Sequence, residues 1–336
     1  MRPRCLTSGG CSTAEFIPRY GFATILPEPE PVKVRAETRT ARLQFRQDSY
    51  KILPDFKDNR AELDEVSNSI LLVKQNEDVK ITGIYISGYA SPEGSMAHNL
   101  VLSENRAKAL AEYIGRHDDI PSDLLHVEWH GEDWAGFVRA LDNYPQLQGL
   151  DRIRELIAKY PDNQDYCELE IRKLEPAEIY ARLLNEVYPP LRRNEYKIEY
   201  NVRNFNLEEA RRMVSERPDL LSLQEMYKVA GSYEKGSADY ERVMETAARY
   251  FPEEPAVLND RALDALGRDD AAAAVGMLEG SGLTEKNPSL LNTLGVAYAR
   301  SGEMHEAERT FRRAAEQGSD EARRNLEQIR QVIDQL

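Results

Sequence analysis

A chain of 336 residues, 41% of them hydrophobic and 30% charged, has room for two or three globular domains, and its composition excludes disorder throughout. The 44 basic and 58 acidic residues leave a formal charge of −14, which repels phosphate backbones, and no basic patch is interleaved with aromatic residues. We therefore expect no nucleic-acid partner.

The first residues lack the apolar core of a secretion signal, and no apolar run in the chain is long enough to span a bilayer. Cys5, Cys11 and Cys167 form an odd set without the spacing of metal ligands, which indicates neither a disulfide framework nor a zinc module. Residues 16–26, FIPRYGFATIL, have the composition of a last strand. We therefore hypothesise that the chain is a fragment, or a late start, of a larger exported protein.

The prolines of PEPEP, residues 27–31, fix an extended spacer that marks a boundary. Beyond it, strand and helix patterns alternate, which is typical of a sheet covered by helices on one face. The predicted strands are residues 32–45, 79–87, 124–129 and 195–202, and the predicted helices are residues 59–73, 99–114, 153–160 and 176–187. The predicted order is β-α-β-α-β, then helices, then a last strand.

From Asn206 onward the strand pattern gives way to short amphipathic helices, which are typical of a helical repeat array. The segment LNTLGVAYARSGEMHEAERTFRRAAEQGS resembles the tetratricopeptide repeat, with the expected residue types at Leu291, Leu294, Gly295, Tyr298, Ala307, Phe311 and Ala314. Upstream copies are degenerate, and one has Gly276 where an aromatic residue is expected. Three helix pairs and a polar closing helix, residues 320–333, meet the minimum that such stacks need.

Residues 88–107, GYASPEGSMAHNLVLSENRA, join a strand to a helix through a Gly/Pro loop. This stretch resembles the OmpA-like peptidoglycan-binding domain, whose marker is a strand ending in Gly-His-Thr-Asp and a helix carrying Asn-x-x-Leu-Ser-x-x-Arg-Ala. The helix half matches at Asn99, Leu102, Ser103, Arg106 and Ala107. The closing strand of the family is similar to Arg192, Arg193 and Glu195. The strand half differs, since Gly-His-Thr-Asp is replaced by Gly88, Tyr89, Ala90 and Ser91.

The GYASPEG form is similar to OmpA-like modules that Bacteroidetes place behind an uncharacterised surface domain. The resemblance implies an α+β fold, an OmpA-like β-α-β-α-β sandwich with a helical insertion, followed by an all-α tetratricopeptide-like repeat stack. We expect residues 1–40 to be an extended segment and Pro-rich linker, the remnant of a preceding domain. Residues 41–204 would form the OmpA-like domain, with the insertion at about 133–190, and residues 205–336 the helical repeats with a capping helix.

The diaminopimelate of a wall peptide presents an ammonium and a carboxylate from one carbon, so its receptor needs a carboxylate and a guanidinium facing one small pocket. The resemblance implies that Arg106 supplies the guanidinium, with Asn99 beside it, and that Ser91 replaces the aspartate that grips the ligand. Loss of one charged partner of a buried pair costs roughly 2–5 kcal/mol. We therefore expect weak or no binding of the usual ligand unless Glu93 supplies the missing carboxylate, in which case Glu93→Gln abolishes affinity.

Arg106 and Asn99 also have purely structural interpretations. Arg106 would be a surface arginine on a helix, paired with Glu104 or Glu93. Asn99 would be an N-cap, because an asparagine before a helical run satisfies the free amides of the first turn.

Other candidate sites have weaker support. His126, Glu128 and His130 share one face of a predicted strand, but a solvated sheet face explains them better than a metal, so we predict no metal and no cofactor. Trp129 and Trp134 are interpreted as core anchors rather than sugar-stacking platforms. The sequence has no nucleophile elbow, no Cys/His pair and no phosphate-binding glycine loop, so we predict that the protein is not an enzyme.

These expectations combine into a non-enzymatic adaptor of the cell envelope, periplasmic or associated with the outer membrane. It would bind the peptidoglycan stem peptide through Arg106, Asn99, Ser91 and Glu93, and a protein or peptide partner through the concave face of the repeats. The alternative is a structural or assembly protein of an outer-membrane or surface-fibre complex, whose OmpA-like pocket no longer binds peptidoglycan.

Overall fold

The computed structural model describes residues 16–46 and 49–335, which divide into a unit built around a sheet and a unit built from helices. The sheet unit comprises Val32–Arg203, and the helical unit comprises the described residues 16–31 and 204–335. Cys5, Cys11 and the stretch without a secretion signal lie outside the described residues.

The sheet has four strands in the order β1-β4-β2-β3. They are β1 Lys33–Ala41, β2 Val79–Ala90, β3 Leu125–Glu132 and β4 Asn194–Val202. β2 and β3 run parallel, whereas β4 pairs antiparallel with both β1 and β2. The side chains of β4 alternate between buried and half-buried, as its period of two requires when one face is covered. The predicted fold class and the predicted order of strands and helices along the chain are confirmed.

Two helices pack against this sheet, α1 Asn59–Lys74 and α2 Met96–His117. The predicted apolar face of α1 is buried at Leu63, Val66, Ile70 and Val73. α2 approaches β2 closely at Gly88, where an added Cβ would collide with the carbonyl oxygen of Ser103. The backbone of the loop between β2 and α2 is therefore held from both ends.

Helices fill the connection between β3 and β4. They are α3 Trp134–Leu141, α4 Leu150–Lys159, α5 Gln164–Arg172 and α6 Glu178–Arg182, followed by a π-helical turn at Leu183–Val187. These helices have an apolar core of their own, which includes Phe137, Ile153 and Tyr188. Trp134, 7% exposed, belongs to it, as predicted. The same expectation was wrong for Trp129, which is 40% exposed on β3 beside Lys108.

The helical unit is a succession of short helices, and its last five helices share one apolar core. Its helices are α7 Leu207–Glu216, α8 Leu223–Ala230, α9 Ala238–Tyr250, α10 Pro255–Gly267, α11 Ala271–Glu279, α12 Pro288–Ser301, α13 Met304–Glu316 and α14 Asp320–Ile333. Every residue of α12 and α13 that carries the repeat resemblance is buried. Gly295 of α12 lets the ring of Phe311 on α13 approach the helix backbone. The sequence pattern therefore predicted the core of this pair.

Residues 16–26 are not a strand, contrary to expectation. They run without regular secondary structure beside α10, α12 and α14, and their main chain is hydrogen-bonded by side chains of these helices. The strand-like composition reflects an extended backbone whose partners are side chains rather than a neighbouring strand.

Candidate functional site

A cleft of about 950 Å³ lies where the loop after β2 meets the segment after β1 and the end of the helical insertion. Ser91, Glu93, Asn99 and Arg106 all line it, so the four residues singled out from the sequence lie around one cavity. The tight β2–α2 contact places the loop and the first turns of α2 at the same edge of the sheet.

Arg106 projects from α2 and is only 8% exposed. Its guanidinium carbon lies 4.8 Å from the centroid of the Phe45 ring, within the range of a cation–π contact. The interpretation as a surface arginine was therefore wrong. Glu104, one of the partners proposed for it, is paired with Lys108 at 2.5 Å.

Asn99 lies within α2 rather than at its N-cap. The helix begins three residues earlier, because the side chain of Ser95 accepts a hydrogen bond from the amide of His98 and caps the first turn. Asn99 Nδ2 instead lies 2.8 Å from the carbonyl oxygen of Glu93 and 3.3 Å from that of Ser91. It also donates to Glu132 Oε1 at 2.8 Å. The N-cap interpretation was wrong, and the side chain fixes the loop that borders the cleft.

Glu93 faces a residue that the sequence analysis did not place in the site. Nη2 of Arg192 lies 2.6 Å from each carboxylate oxygen of Glu93, and its Nε donates to Ser91 Oγ at 3.0 Å. Arg192 immediately precedes Arg193, which lies outside the cleft and pairs with Asp133 at 2.5 Å. Arg192 and Arg193 were visible in the sequence as a pair near the closing strand. This pair was the signal that could have pointed to a second guanidinium beside the loop.

The described lining of the cleft carries six cationic side chains and one carboxylate. The cations are Arg42, Arg46, Lys57, Arg106, Arg172 and Arg192, and the carboxylate is Glu93. This local charge is opposite to the formal charge of −14 of the whole chain. Because guanidinium groups form paired hydrogen bonds to carboxylates, the cleft is suited to a ligand that presents carboxylate groups.

Glu132, behind the loop, is less acidic than an ordinary glutamate. Burial raises the pKa of its carboxyl group, against hydrogen bonds from Asn99 and from the indole of Trp134 that lower it. These two donors use both carboxylate oxygens, since Asn99 bonds Oε1 and Trp134 bonds Oε2. Glu132 therefore anchors Asn99 instead of facing a ligand.

On β3, His126 and His130 were considered as metal ligands, and both rings stack on tyrosine rings of β2. The ring of His126 stacks on Tyr85 and that of His130 stacks on Tyr89, both with centroids 4.7 Å apart. Within residues 16–46 and 49–335, no group of three His, Cys, Asp or Glu side chains is placed to hold a metal ion.

Comparison with known proteins finds a family for part of the region around the cleft. A model described as "OmpA family" matches residues 44–138. The chain is 32% identical over 112 residues to Outer membrane protein 41 of Porphyromonas gingivalis. That match covers 33% of this chain and 26% of the relative, so the chain spans about a quarter of the relative's length. Residues 44–138 are an OmpA-like domain.

Among solved structures, the OmpA-like domain of FopA1 from Francisella tularensis subsp. tularensis SCHU S4 is similar at 14% identity and a TM-score of 0.27. The similarity covers 56% of this chain and 97% of that domain. Across the described residues, every helix is too short or too polar to cross a bilayer.

Proposed function

We propose that this protein is a non-enzymatic adaptor of the cell envelope. The premise of this proposal is the OmpA-like domain at residues 44–138. Its OmpA-like cleft would bind the stem peptide of peptidoglycan, and its helical unit would bind a protein or peptide partner. OmpA-like domains typically bind peptidoglycan in the envelope, and they do so without catalysis.

The convergence of Arg106, Asn99 and Ser91 on one cleft carries the first half of this proposal. Arg106 keeps the guanidinium of the family motif and is largely shielded from water, where charge-assisted hydrogen bonds to a carboxylate are strongest. Asn99 holds the loop carbonyls in place, so the pocket wall is rigid before a ligand arrives.

The chemistry of the cleft supports capture of the stem peptide through its carboxylates rather than through its ammonium. Ser91 carries no charge, and the carboxylate of Glu93 is already paired with Arg192. A ligand carboxylate, in contrast, would meet the guanidinium group of Arg106. We therefore propose that the cleft binds the wall peptide at a free carboxyl group.

A second candidate function rests on the same loop. If the pair of Glu93 and Arg192 closes the family's ammonium subsite, the OmpA-like domain serves as a packing unit of an outer-membrane or surface-fibre complex, without binding peptidoglycan. The replacement of the family aspartate by Ser91 favours this alternative.

Binding of purified sacculi and calorimetry with a diaminopimelate-containing tripeptide test the proposal. We expect Arg106→Ala to lower tripeptide affinity at least about 30-fold, because loss of a charged partner from a shielded site costs roughly 2–5 kcal/mol. Arg116→Ala, the same change on the same helix, is the control, because Arg116 has a side chain that is 78% exposed and pairs with Glu112. It should bind like the unmodified protein.

The possible outcomes separate the two candidate functions. Binding that is lost in Arg106→Ala and kept in Arg116→Ala supports wall attachment. Absence of binding by the unmodified protein leaves the assembly function, and clearing of the wall in a zymogram would contradict both.

A further inference from the structure

Three asparagines of the helical unit recur at intervals of 33 residues and share one environment. Asn259, Asn292 and Asn325 lie near the start of α10, α12 and α14, and each is at most 1% exposed. Buried carboxamides need hydrogen-bond partners, and two of these side chains bond each other, with Asn325 Nδ2 donating to Asn292 Oδ1 at 2.8 Å. Asn259 Oδ1 accepts from the hydroxyl of Thr293 at 2.7 Å. The three side chains thus form a fixed polar row across successive helices.

The remaining bonds of this row go to the main chain of residues 16–25. Asn325 Oδ1 accepts from the amide of Gly21 at 2.8 Å, and Nδ2 of Asn325 and of Asn292 donate to the Gly21 carbonyl at 2.8 and 3.0 Å. Asn259 Nδ2 donates to the carbonyl of Ala23 at 3.2 Å. The row of asparagines therefore bonds alternate residues of the segment, which is the pattern of an extended backbone.

Gln328 of α14 adds a fourth side chain to the row of asparagines and bonds one more residue of the segment. Its Oε1 accepts from the amide of Arg19 at 2.7 Å, and its Nε2 donates to the Arg19 carbonyl at 3.0 Å. Together with the asparagines, it gives main-chain bonds at Arg19, Gly21 and Ala23, with a spacing of two residues. This is how an extended peptide is held by its backbone, but here the bonds come from side chains instead of a strand edge.

Two side chains of the segment add apolar contacts with the helices. Tyr20 and Ile25 pack on the apolar core of the helices, and the Tyr20 ring centroid lies 5.7 Å from that of Phe311. Ile17 and Leu26, in contrast, are 77% and 75% exposed. Recognition of the segment thus combines hydrogen bonds to its backbone with apolar packing of Tyr20 and Ile25.

We propose that the groove lined by Asn259, Asn292, Asn325 and Gln328 is a receptor for an extended peptide bound through its main chain. Its occupant is the chain's own segment, residues 16–25, bound as a replaceable ligand and not as a fixed part of the core. This deepens the partner-binding half of the proposed function, because a partner of the helical unit would present an extended segment with an aromatic residue and displace residues 16–25.

A pair of substitutions at Gly21 changes the occupant without touching the groove. Gly21→Pro removes the amide that bonds Asn325, whereas Gly21→Ala keeps it, and the added Cβ would lie 3.8 Å from Asn325 Oδ1, an ordinary contact. The probe is a fluorescently labelled peptide with the sequence of residues 16–26, and fluorescence anisotropy measures its binding to the full chain. We expect the Gly21→Pro protein to bind the probe at least about 10-fold tighter than the unmodified and Gly21→Ala proteins.

A second pair of substitutions locates the bound probe. In the Gly21→Pro protein, Gln328→Ala removes both bonds to the residue equivalent to Arg19, and we expect at least about 5-fold weaker probe binding. Glu327→Ala, at the neighbouring exposed position of α14, should leave probe binding unchanged.

Two results would overturn the proposal. Equal probe binding by the Gly21→Pro and unmodified proteins would make residues 16–25 a fixed part of the fold. Tighter binding that Gln328→Ala does not weaken would place the probe elsewhere. Since Gly21 and Gln328 lie in the helical unit, the sacculus assay on Arg106 tests wall binding separately.

Discussion

Arg192 determines what the carboxylate of Glu93 can do. Its guanidinium bonds both carboxylate oxygens and also Ser91 Oγ. The side chains of Arg192 and Glu93 are 34% and 32% exposed, so water screens the pair only in part. An ammonium that enters the cleft must compete with Arg192 for this carboxylate. The geometry at this residue therefore disfavours capture of an ammonium group by Glu93.

The ion pair gives an expectation for Glu93→Gln that differs from the one based on sequence. The substitution removes the negative charge beside Arg192 and leaves its guanidinium available to a ligand carboxylate. We expect the affinity for the diaminopimelate tripeptide to stay the same or to rise a few-fold, measured by calorimetry.

The control for this prediction is Glu104→Gln, because Glu104 pairs with Lys108 on α2 outside the cleft lining. It should not change affinity. Abolished binding in Glu93→Gln alone would mean that Glu93 holds the ligand ammonium after all.

At the level of elements, glycine permits the closest helix contact in the last repeat pair. A Cβ on Gly295 would lie 2.6 Å from two ring atoms of Phe311, and that ring is fully buried in the helical core. α12 and α13 can therefore pack at this distance only if position 295 has no side chain. Gly276 of α11, where the repeat pattern expects an aromatic residue, has no atom within 4 Å of an added Cβ.

These two glycines predict opposite effects of the same substitution. Gly295→Ala should lower the free energy of unfolding by about 1–3 kcal/mol, the usual cost of overpacking a core. Gly276→Ala should raise it by about 0.5–1 kcal/mol, because alanine is the better helix former at an exposed position with open space. Urea denaturation measures both, and equal effects in the two variants would contradict the packing described for α12 and α13.

At the level of the whole molecule, the charge of the cleft opposes that of the chain. A protein with a formal charge of −14 repels anionic ligands at long range, whereas the cationic lining attracts them at short range. Salt screens interactions over a Debye length of about 10 Å at 0.1 M and about 3 Å at 1 M. Capture of a carboxylate by this cleft should therefore depend on ionic strength.

We expect tripeptide affinity to fall several-fold when the salt concentration rises from about 0.1 M to about 1 M. The Arg106→Ala protein should show a smaller salt dependence, because one of the attracting charges is absent. Titrations at several salt concentrations check this, and an affinity that does not change with salt would show that the cationic lining does not contribute to binding.

Particular residues show where sequence reasoning succeeded and where it failed. The apolar positions of α1 and the alternation of β4 were predicted, because each depends on neighbours within one element. Asn99 was misplaced as an N-cap because Ser95, a better-placed cap, lies in the preceding loop. Trp129 and Trp134 could not be told apart, since burial depends on which element covers each ring.

The sequence by itself determined the order of strands and helices, the family motif on α2 and the repeat-like core of α12 and α13, since these are patterns of residues close in the chain. Only the tertiary structure decided the partners of the candidate sites. Ser91 and Arg192 are 101 residues apart, and Gly21 and Asn325 are 304 apart. Such contacts exist because β4 pairs with β2 and because α14 packs on α12 and α13. Neither arrangement is encoded by the periodicity of a single element.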